Sequence, residues 1–188
     1  MKLIFAQGNP GITYDNTRHN IGFAVLDSIT DALQLSFTEK TKFQALLAET
    51  SINGEKVIFA KPTTFYNETG IAARAIADFY KLDIAKDILV IHDELALPFG
   101  TIKTRQEGSD AGNNGIKSLN QHLGAQYARI RIGIYNPLRD QINDADFVLG
   151  KFTKEESKSL PVIISQARDY VDQFISGEFT PTRTNLSL

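Results

Sequence analysis

Short apolar runs alternate along this chain with stretches in which apolar residues return every three or four positions, the pattern of an α/β fold. Leu3-Ile4-Phe5-Ala6 is a first buried strand, and Gly8-Asn9-Pro10-Gly11 is its turn-forming exit. Ile21, Val25, Ile29 and Leu33 then recur every four residues, which predicts a helix starting near Thr17 with His19 in its first turn. Asn53-Gly54 stands between the apolar runs 46–51 and 57–61. That dipeptide favours a two-residue hairpin, so an antiparallel pair is expected and the sheet is mixed. Pro62 ends the second arm, and Asn67 is expected to cap a helix carrying Ile71, Ala75 and Phe79. Four apolar residues in succession, Ile88 to Ile91, predict a central strand covered on both faces, with Asp93 at its carboxyl end.

The second half repeats the alternation. Residues 101–105 alternate apolar and basic, and a glycine-rich loop over 108–115 leads into a short helix ending near Leu123-Gly124. Arg129-Ile130-Arg131-Ile132-Gly133-Ile134 reads as a strand with both arginines on one face. Thr153 and Glu156 have capping-box spacing, and a helix is predicted over 162–175 with Pro161 at its start and Gly177 at its end. No repeat or linker divides residues 1–188, so one domain is expected, a mixed central sheet flanked by helices, with 177–188 as a mobile tail.

Composition narrows the chemistry. With 42% hydrophobic and 22% charged residues in 188, the chain is globular in profile and long enough to bury a core without staples. It has no cysteine, which excludes disulfides, thiolate nucleophiles and Cys-ligated metal centres and favours a cytoplasmic setting. The first apolar run stops at Gln7-Gly8, too short for a membrane span or a signal peptide core. The formal charge of −2 hides an asymmetry: residues 101–139 carry six basic and two acidic side chains, a net +4, and the remainder −6. Such a local basic field suits one oriented nucleic-acid contact, and it equally fits a solvated surface with chance clustering.

Three histidines are present. His122 falls on a polar helix face, and His92 ends a buried strand, as a structural histidine would. His19 follows the turn after the first strand, where open α/β sheets place their ligands. Asn9, Asn67, Asp93 and Asn114 fall at the same edge. Singly they read equally well as a turn residue, a helix cap, a solvated carboxylate and a loop asparagine. Together they supply a base, an orienting carboxylate and three amides, the constellation of a hydrolase. The glycine spacing of the first turn is not the dinucleotide fingerprint, no Walker loop or nucleophile elbow is present, and no imidazole pair has metal-ligand spacing.

At these residues the chain resembles bacterial peptidyl-tRNA hydrolases, from Leu3 to about Ile175. The likeness rests on Gly8-Asn9-Pro10-Gly11, Tyr14 with Thr17-Arg18-His19-Asn20, the segment 62–70, His92-Asp93-Glu94-Leu95 with Leu97-Pro98 and Gly100, Asn114-Gly115 with Lys117, the strand 129–134, and Val148-Leu149-Gly150-Lys151. The resemblance implies a monomeric, cytoplasmic enzyme without metal or cofactor, whose partner is peptidyl-tRNA and not a membrane. It cleaves the ester between the peptide and the 3′-terminal ribose. His19 would be the base and Asp93 its orienting carboxylate; the expected place of Asn67 at a helix start makes it the natural donor to the oxyanion. Asn9, Tyr14, Tyr66, Asn67 and Asn114 would bind substrate, and Lys103, Arg105 and Arg131 would meet tRNA phosphates. This chain has Tyr66 where the family usually has Met, Ala96 where it usually has Asp, and Asn113 where it usually has His. Two other readings stay open: a non-catalytic RNA-binding protein like the plant organelle intron-splicing factors that resemble this fold, and a hydrolase with no RNA partner.

Overall fold

β1 (Lys2–Ala6) runs through the middle of the molecule because both of its faces are apolar: Ile4 and Ala6 point to one side, Leu3 and Phe5 to the other. The computed structural model, which describes residues 1–188, continues with α1 (Ile21–Ala32), β2 (Thr38–Lys40), β3 (Ala45–Ile52), β4 (Glu55–Pro62), α2 (Thr69–Tyr80), α3 (Ile84–Asp87) and β5 (Ile88–Pro98). It ends with β6 (Thr101–Arg105), α4 (Asn114–Leu123), β7 (Ala128–Tyr135), α5 (Asp144–Leu149), α6 (Lys154–Ser176) and β8 (Arg183–Asn185). All eight strands form one sheet, in the order β2-β3-β4-β1-β5-β7-β6-β8. The four central strands, β4, β1, β5 and β7, are parallel, and the pairs outside them are antiparallel. The sheet is mixed, as the hairpin signal requires. Asn53 and Gly54 both have positive φ, 52° and 82°, the twist of the favoured hairpin turn.

Two cores sandwich the sheet. One lies under α1 and α6, with Val25, Leu26, Ile163 and Val171 against Ile4, Leu89 and Ile130. The other lies under α2 and α4, with Ala73, Ile76, Ile116 and Leu119 against Phe5, Ile58 and Val90. Each such buried Ile, Leu or Phe contributes roughly 1.5–3 kcal/mol. The chain after β1 goes to one face and the chain after β4 to the other, so a crevice opens where β1 ends beside β5. Gly22 lets α1 close on that point: a Cβ there would lie 2.7 Å from the Ile91 carbonyl and 2.8 Å from that of Gln7.

Five expectations are corrected. The helix does not begin near Thr17. A 3₁₀ turn, Arg18–Asn20, precedes α1 and carries His19, because the Arg18 side chain is drawn inward to Glu156. Asn67 does not cap α2. It lies in a 3₁₀ turn, Tyr66–Glu68, and Glu68 takes the cap position without a side-chain bond. Asp93 is not a strand terminus, since β5 runs on to Pro98, but it does lie past the end of β1, whose last partner is Ile91. Pro161 stands inside α6 rather than at its start. The capping box at Thr153 begins the helix earlier, and the packed face through Ile163, Ala167 and Val171 carries it past the missing donor.

The segment expected as a tail over 177–188 supplies instead the eighth strand. Phe179 is buried against Phe174, with ring centroids 5.7 Å apart. Thr104 donates to the Thr180 carbonyl and accepts from the Thr182 amide, both at 2.7 Å, and β8 then pairs antiparallel with β6. A three-residue strand is too short to show a period of two, so its pattern is invisible before its partner is known.

Candidate active site

The crevice at the end of β1 has a volume of about 700 Å³ and gathers residues from across the sequence: Asn9, Tyr14, His19, Tyr66, Asn67, Asp93 and Asn114 all line it. Its centre is an imidazole held on two sides. His19 Nδ1 lies 2.9 Å from Asp93 Oδ2, and the ring stacks on Tyr66 with centroids 3.6 Å apart and planes 8° from parallel. The His19 side chain is 15% exposed and that of Asp93 only 2%, so the carboxylate is sealed behind the ring it orients. With Nδ1 committed to the carboxylate, Nε2 is left as the basic nitrogen.

Tyr66 is buried, and its hydroxyl donates to Asp93 Oδ1 at 2.5 Å. Burial, and after it the neighbouring Asp93 charge, hold the phenol well above its ordinary pKa, so it stays protonated and remains a donor. Asn113 donates to the same hydroxyl oxygen at 3.1 Å, while its own Oδ1 accepts from the Ile116 amide at 3.0 Å as the cap of α4. Asn9 is fixed in the same way. Its Oδ1 accepts from the Tyr66 amide at 2.8 Å and its backbone is clasped by the Asn20 side chain, which leaves Nδ2 as a donor at the crevice. Asn67 and Asn114 are exposed on the walls, Tyr14 and Phe65 meet edge to face at the rim, and Arg139 pairs with Asp144 opposite.

The three cations expected to meet phosphates separate into two kinds. Lys103 and Arg105 stand on β6 outside the crevice and make no ion pair within 4.0 Å. The neighbouring charge of Arg105, then slight desolvation, then Arg131 and Arg183, lower the Lys103 ammonium pKa, the mark of crowded cations. Arg131 is different: its Nε and Nη2 donate to Glu94 Oε2 at 3.0 and 2.8 Å, tying β7 to the crevice wall. Arg129 is buried and donates to the Ser109 carbonyl at 2.8 Å, which anchors the loop ahead of Asn113.

Three groups escape a reading of the sequence. Arg183 faces Lys103 in the β6–β8 register and extends the basic row, but it sits in the segment expected to be tail. Arg18 is buried between Phe147 and Phe152, with its Nη2 donating to Glu156 Oε2 at 2.6 Å, and so fixes the turn that carries His19. Only the capping-box glutamate hinted at that partner. The Tyr66–Asn113 contact joins positions 47 apart, and no local pattern announces it. His92 lies behind the site as a structural histidine, with Nδ1 against the Asp93 carbonyl at 2.7 Å and its pKa pushed down to about 4 chiefly by burial. His122 is exposed on α4, away from the crevice, and its Nδ1 meets the Ser118 carbonyl at 2.8 Å. No three His, Asp or Glu side chains converge as metal ligands.

An imidazole–carboxylate pair and several amides thus share one crevice beside a basic strand edge, and the chain as a whole matches a known group of proteins. A family model described as peptidyl-tRNA hydrolase matches residues 3–187. The peptidyl-tRNA hydrolase of Fusobacterium nucleatum is 45% identical over 176 residues, covering 94% of this chain and 90% of that protein. That of Aliarcobacter butzleri is 40% identical over 188 residues, covering 100% of both. The crystal structure of peptidyl-tRNA hydrolase from Acinetobacter baumannii superposes with a TM-score of 0.87 at 30% identity, covering 95% of this chain and 90% of that one. Sequence along the whole chain and the fold around the His19–Asp93 pair thus agree, and the chain belongs to the peptidyl-tRNA hydrolase family.

Proposed function

We infer that this protein hydrolyses the ester that joins a peptide to the 3′-terminal ribose of tRNA. The observation that carries the reading is the His19–Asp93 pair, 2.9 Å apart at the floor of a crevice lined with amides. His19 Nε2 takes a proton from water as its oxygen attacks the ester carbonyl. The carbon–oxygen bond to the ribose then breaks, and the same nitrogen returns the proton to the departing ribose oxygen. Asp93 holds the ring and stabilises its cationic form in between. Such base catalysis contributes on the order of 10² to 10⁴ in rate.

Asn67, free of protein partners, donates to the developing oxyanion, a role worth on the order of 10² to 10³. Asn9 and Asn114 donate to carbonyls of the peptide. A substrate with a neutral amide satisfies them, whereas a free α-ammonium group brings donors against donors, so aminoacyl-tRNA is spared. Tyr14 packs on the substrate at the rim. Lys103, Arg105 and Arg183 take phosphates of the tRNA, with Arg131 behind them. A crevice complete within one chain supports action as a monomer, and the cysteine-free composition supports a cytoplasmic setting.

The test is release of an N-acetylated amino acid from tRNA, assayed with and without EDTA and beside the free aminoacyl-tRNA. Turnover of the acetylated substrate alone, undiminished by chelator, is expected. Binding of tRNA without turnover would instead make the protein a non-catalytic RNA binder.

A further inference from the structure

The hydrogen bonds at the Asp93 carboxylate have their direction dictated from outside the site. Asn113 is the cap of α4, and because its Oδ1 must accept from the Ile116 amide, its Nδ2 is obliged to donate. The oxygen it meets, Tyr66 Oη at 3.1 Å, therefore accepts there and spends its only proton on Asp93 Oδ1, 2.5 Å away. Asp93, an acceptor at both oxygens, has only Oδ2 left for His19 Nδ1. We propose that Tyr66 and Asn113 are positioning residues for the reaction: they carry the polarity of a helix cap through the phenol and the carboxylate to His19, and fix Nε2 as its basic atom.

The reading of His19 as the base is assumed here, and what is added is how that base is set. Room for the arrangement is built in. The Tyr66 ring lies flat against the imidazole, and a Cβ on residue 115 would fall 2.4 Å from Tyr66 Cε1, so glycine at that position is what admits the ring. Tyr66 is buried and its amide is held by Asn9, which leaves it little surface to offer a substrate. Tyr66 and Asn113 touch one another although they stand 47 positions apart. A phenol that donates to Asp93 withdraws charge from the carboxylate facing the imidazole.

Removing the phenolic proton leaves Asp93 more negative and one of its oxygens unpaired, so the protonated imidazole is favoured and the base is silenced up to a higher pH. The other charged or titratable groups around His19 are accounted for. On β5, Glu94 is paired with Arg131 of β7, and His92 is buried behind. Arg18 is paired with Glu156 of α6, Arg139 with Asp144 at the rim, and Tyr14 stands beyond them.

The experiment is steady-state hydrolysis of N-acetylated aminoacyl-tRNA by the full chain from about pH 5 to pH 9, a range that spans the titration of a histidine base. Wild type is compared with Tyr66→Phe, Asn113→Ser, the double variant and His19→Ala, with folding followed by thermal melting. Asn113→Ser keeps an acceptor for the helix cap and removes the amide donor. Tyr66→Phe is expected to lower kcat about tenfold, the worth of one hydrogen bond to a charge, with KM nearly unchanged and the acid limb of kcat/KM displaced to higher pH. Asn113→Ser should fall by about threefold in the same direction. The double variant should be little worse than Tyr66→Phe, because the short bond from Asn113 goes to the phenol at 3.1 Å and its other contact, to the Asp93 carbonyl, is 3.5 Å long.

A wild-type pH profile in Tyr66→Phe, a rise in KM at unchanged kcat, or effects that multiply in the double variant would each overturn the proposal while an inactive His19→Ala left the base reading intact. An active His19→Ala would remove both. Should Tyr66→Phe fail to fold, Asn113→Ser decides alone: a displaced acid limb supports the proposal and an unmoved one overturns it.

Discussion

The floor of the crevice and the basic edge of the sheet lie side by side and are built on opposite principles. At the floor, His19, Asp93, Tyr66 and Asn113 are joined in one chain of directed hydrogen bonds of 2.5–3.1 Å. On β6 and β8, Lys103, Arg105 and Arg183 have no partner of opposite charge within 4.0 Å, and the positive charge crowded around Lys103 is what marks the place. The first arrangement is costly to disturb at any point, since a buried group left without its partner loses its full hydration. The second acts by summed field, falls with salt, and gives way by degrees. Under the proposed function, chemistry falls to the first region and RNA affinity to the second.

The largest expected effect lies at the floor. His19→Ala should lower kcat by about 10² to 10⁴ while tRNA binding and the melting temperature stay near wild type, because a partly exposed imidazole adds little to the core. A residual rate above about a tenth of wild type would mean that the base lies elsewhere. Next comes the support beneath it. Arg18→Ala leaves Glu156 buried with a lost cation and is expected to cost about 3–5 kcal/mol of stability, read by chemical denaturation. A smaller loss, with activity retained, would show that the 18–20 turn holds His19 without that ion pair.

Acid separates the two regions further. His92 titrates at about 4 in the folded chain, depressed chiefly by burial, against about 6.5 when unfolded. The unfolded state therefore binds the extra proton between those values, so this contribution to stability is complete above pH 6.5 and is lost as pH falls toward 4. The slope approaches about 1.4 kcal/mol per pH unit in that window. His92→Gln should flatten it, and an unchanged slope would assign the acid sensitivity to other groups. Lys103→Ala, on the strand edge, should leave that slope as it is in the wild type.

The sequence is most legible where a pattern is local and least where a contact closes over distance. Runs such as 88–91, the Asn53-Gly54 turn and the Thr153 capping box predict their elements because each is decided within a few residues. The reach of α6 through Pro161 and the pairing of β8 depend on tertiary packing, which overrides propensity and has no signature along the chain. The site divides in the same way. His19 and Asp93 are legible as candidates at one sheet edge, where the fold does bring them together, while the bond from the Tyr66 hydroxyl to Asp93 has no signal along the chain. The count of basic residues over 101–139 misses Arg183 and cannot distinguish free Lys103 from Arg131, already bound to Glu94.

That last distinction gives the finest test. The Lys103→Ala, Arg105→Ala and Arg183→Ala variants should each raise KM a few-fold, leave kcat nearly unchanged, and lower the slope of log K against log salt by about 0.7–0.9, one counterion apiece. A phosphate contact far from the ester stabilises ground state and transition state alike, so its loss belongs in KM. Arg131→Ala should behave otherwise. Two of its donors already serve Glu94, whose side chain is 6% exposed, so most of its charge is neutralised before RNA arrives. Its removal is expected to change the salt slope by less than half the value for Lys103, and to lower melting temperature or kcat instead by leaving Glu94 buried and unpaired at the crevice wall. A short peptidyl-adenosine fragment sharpens the contrast: the three β6 and β8 variants should cleave it as wild type does, and Arg131→Ala should not. A full counterion lost with Arg131, and normal cleavage of the fragment, would put Arg131 with the exposed cations and move the boundary between the two regions one strand inward.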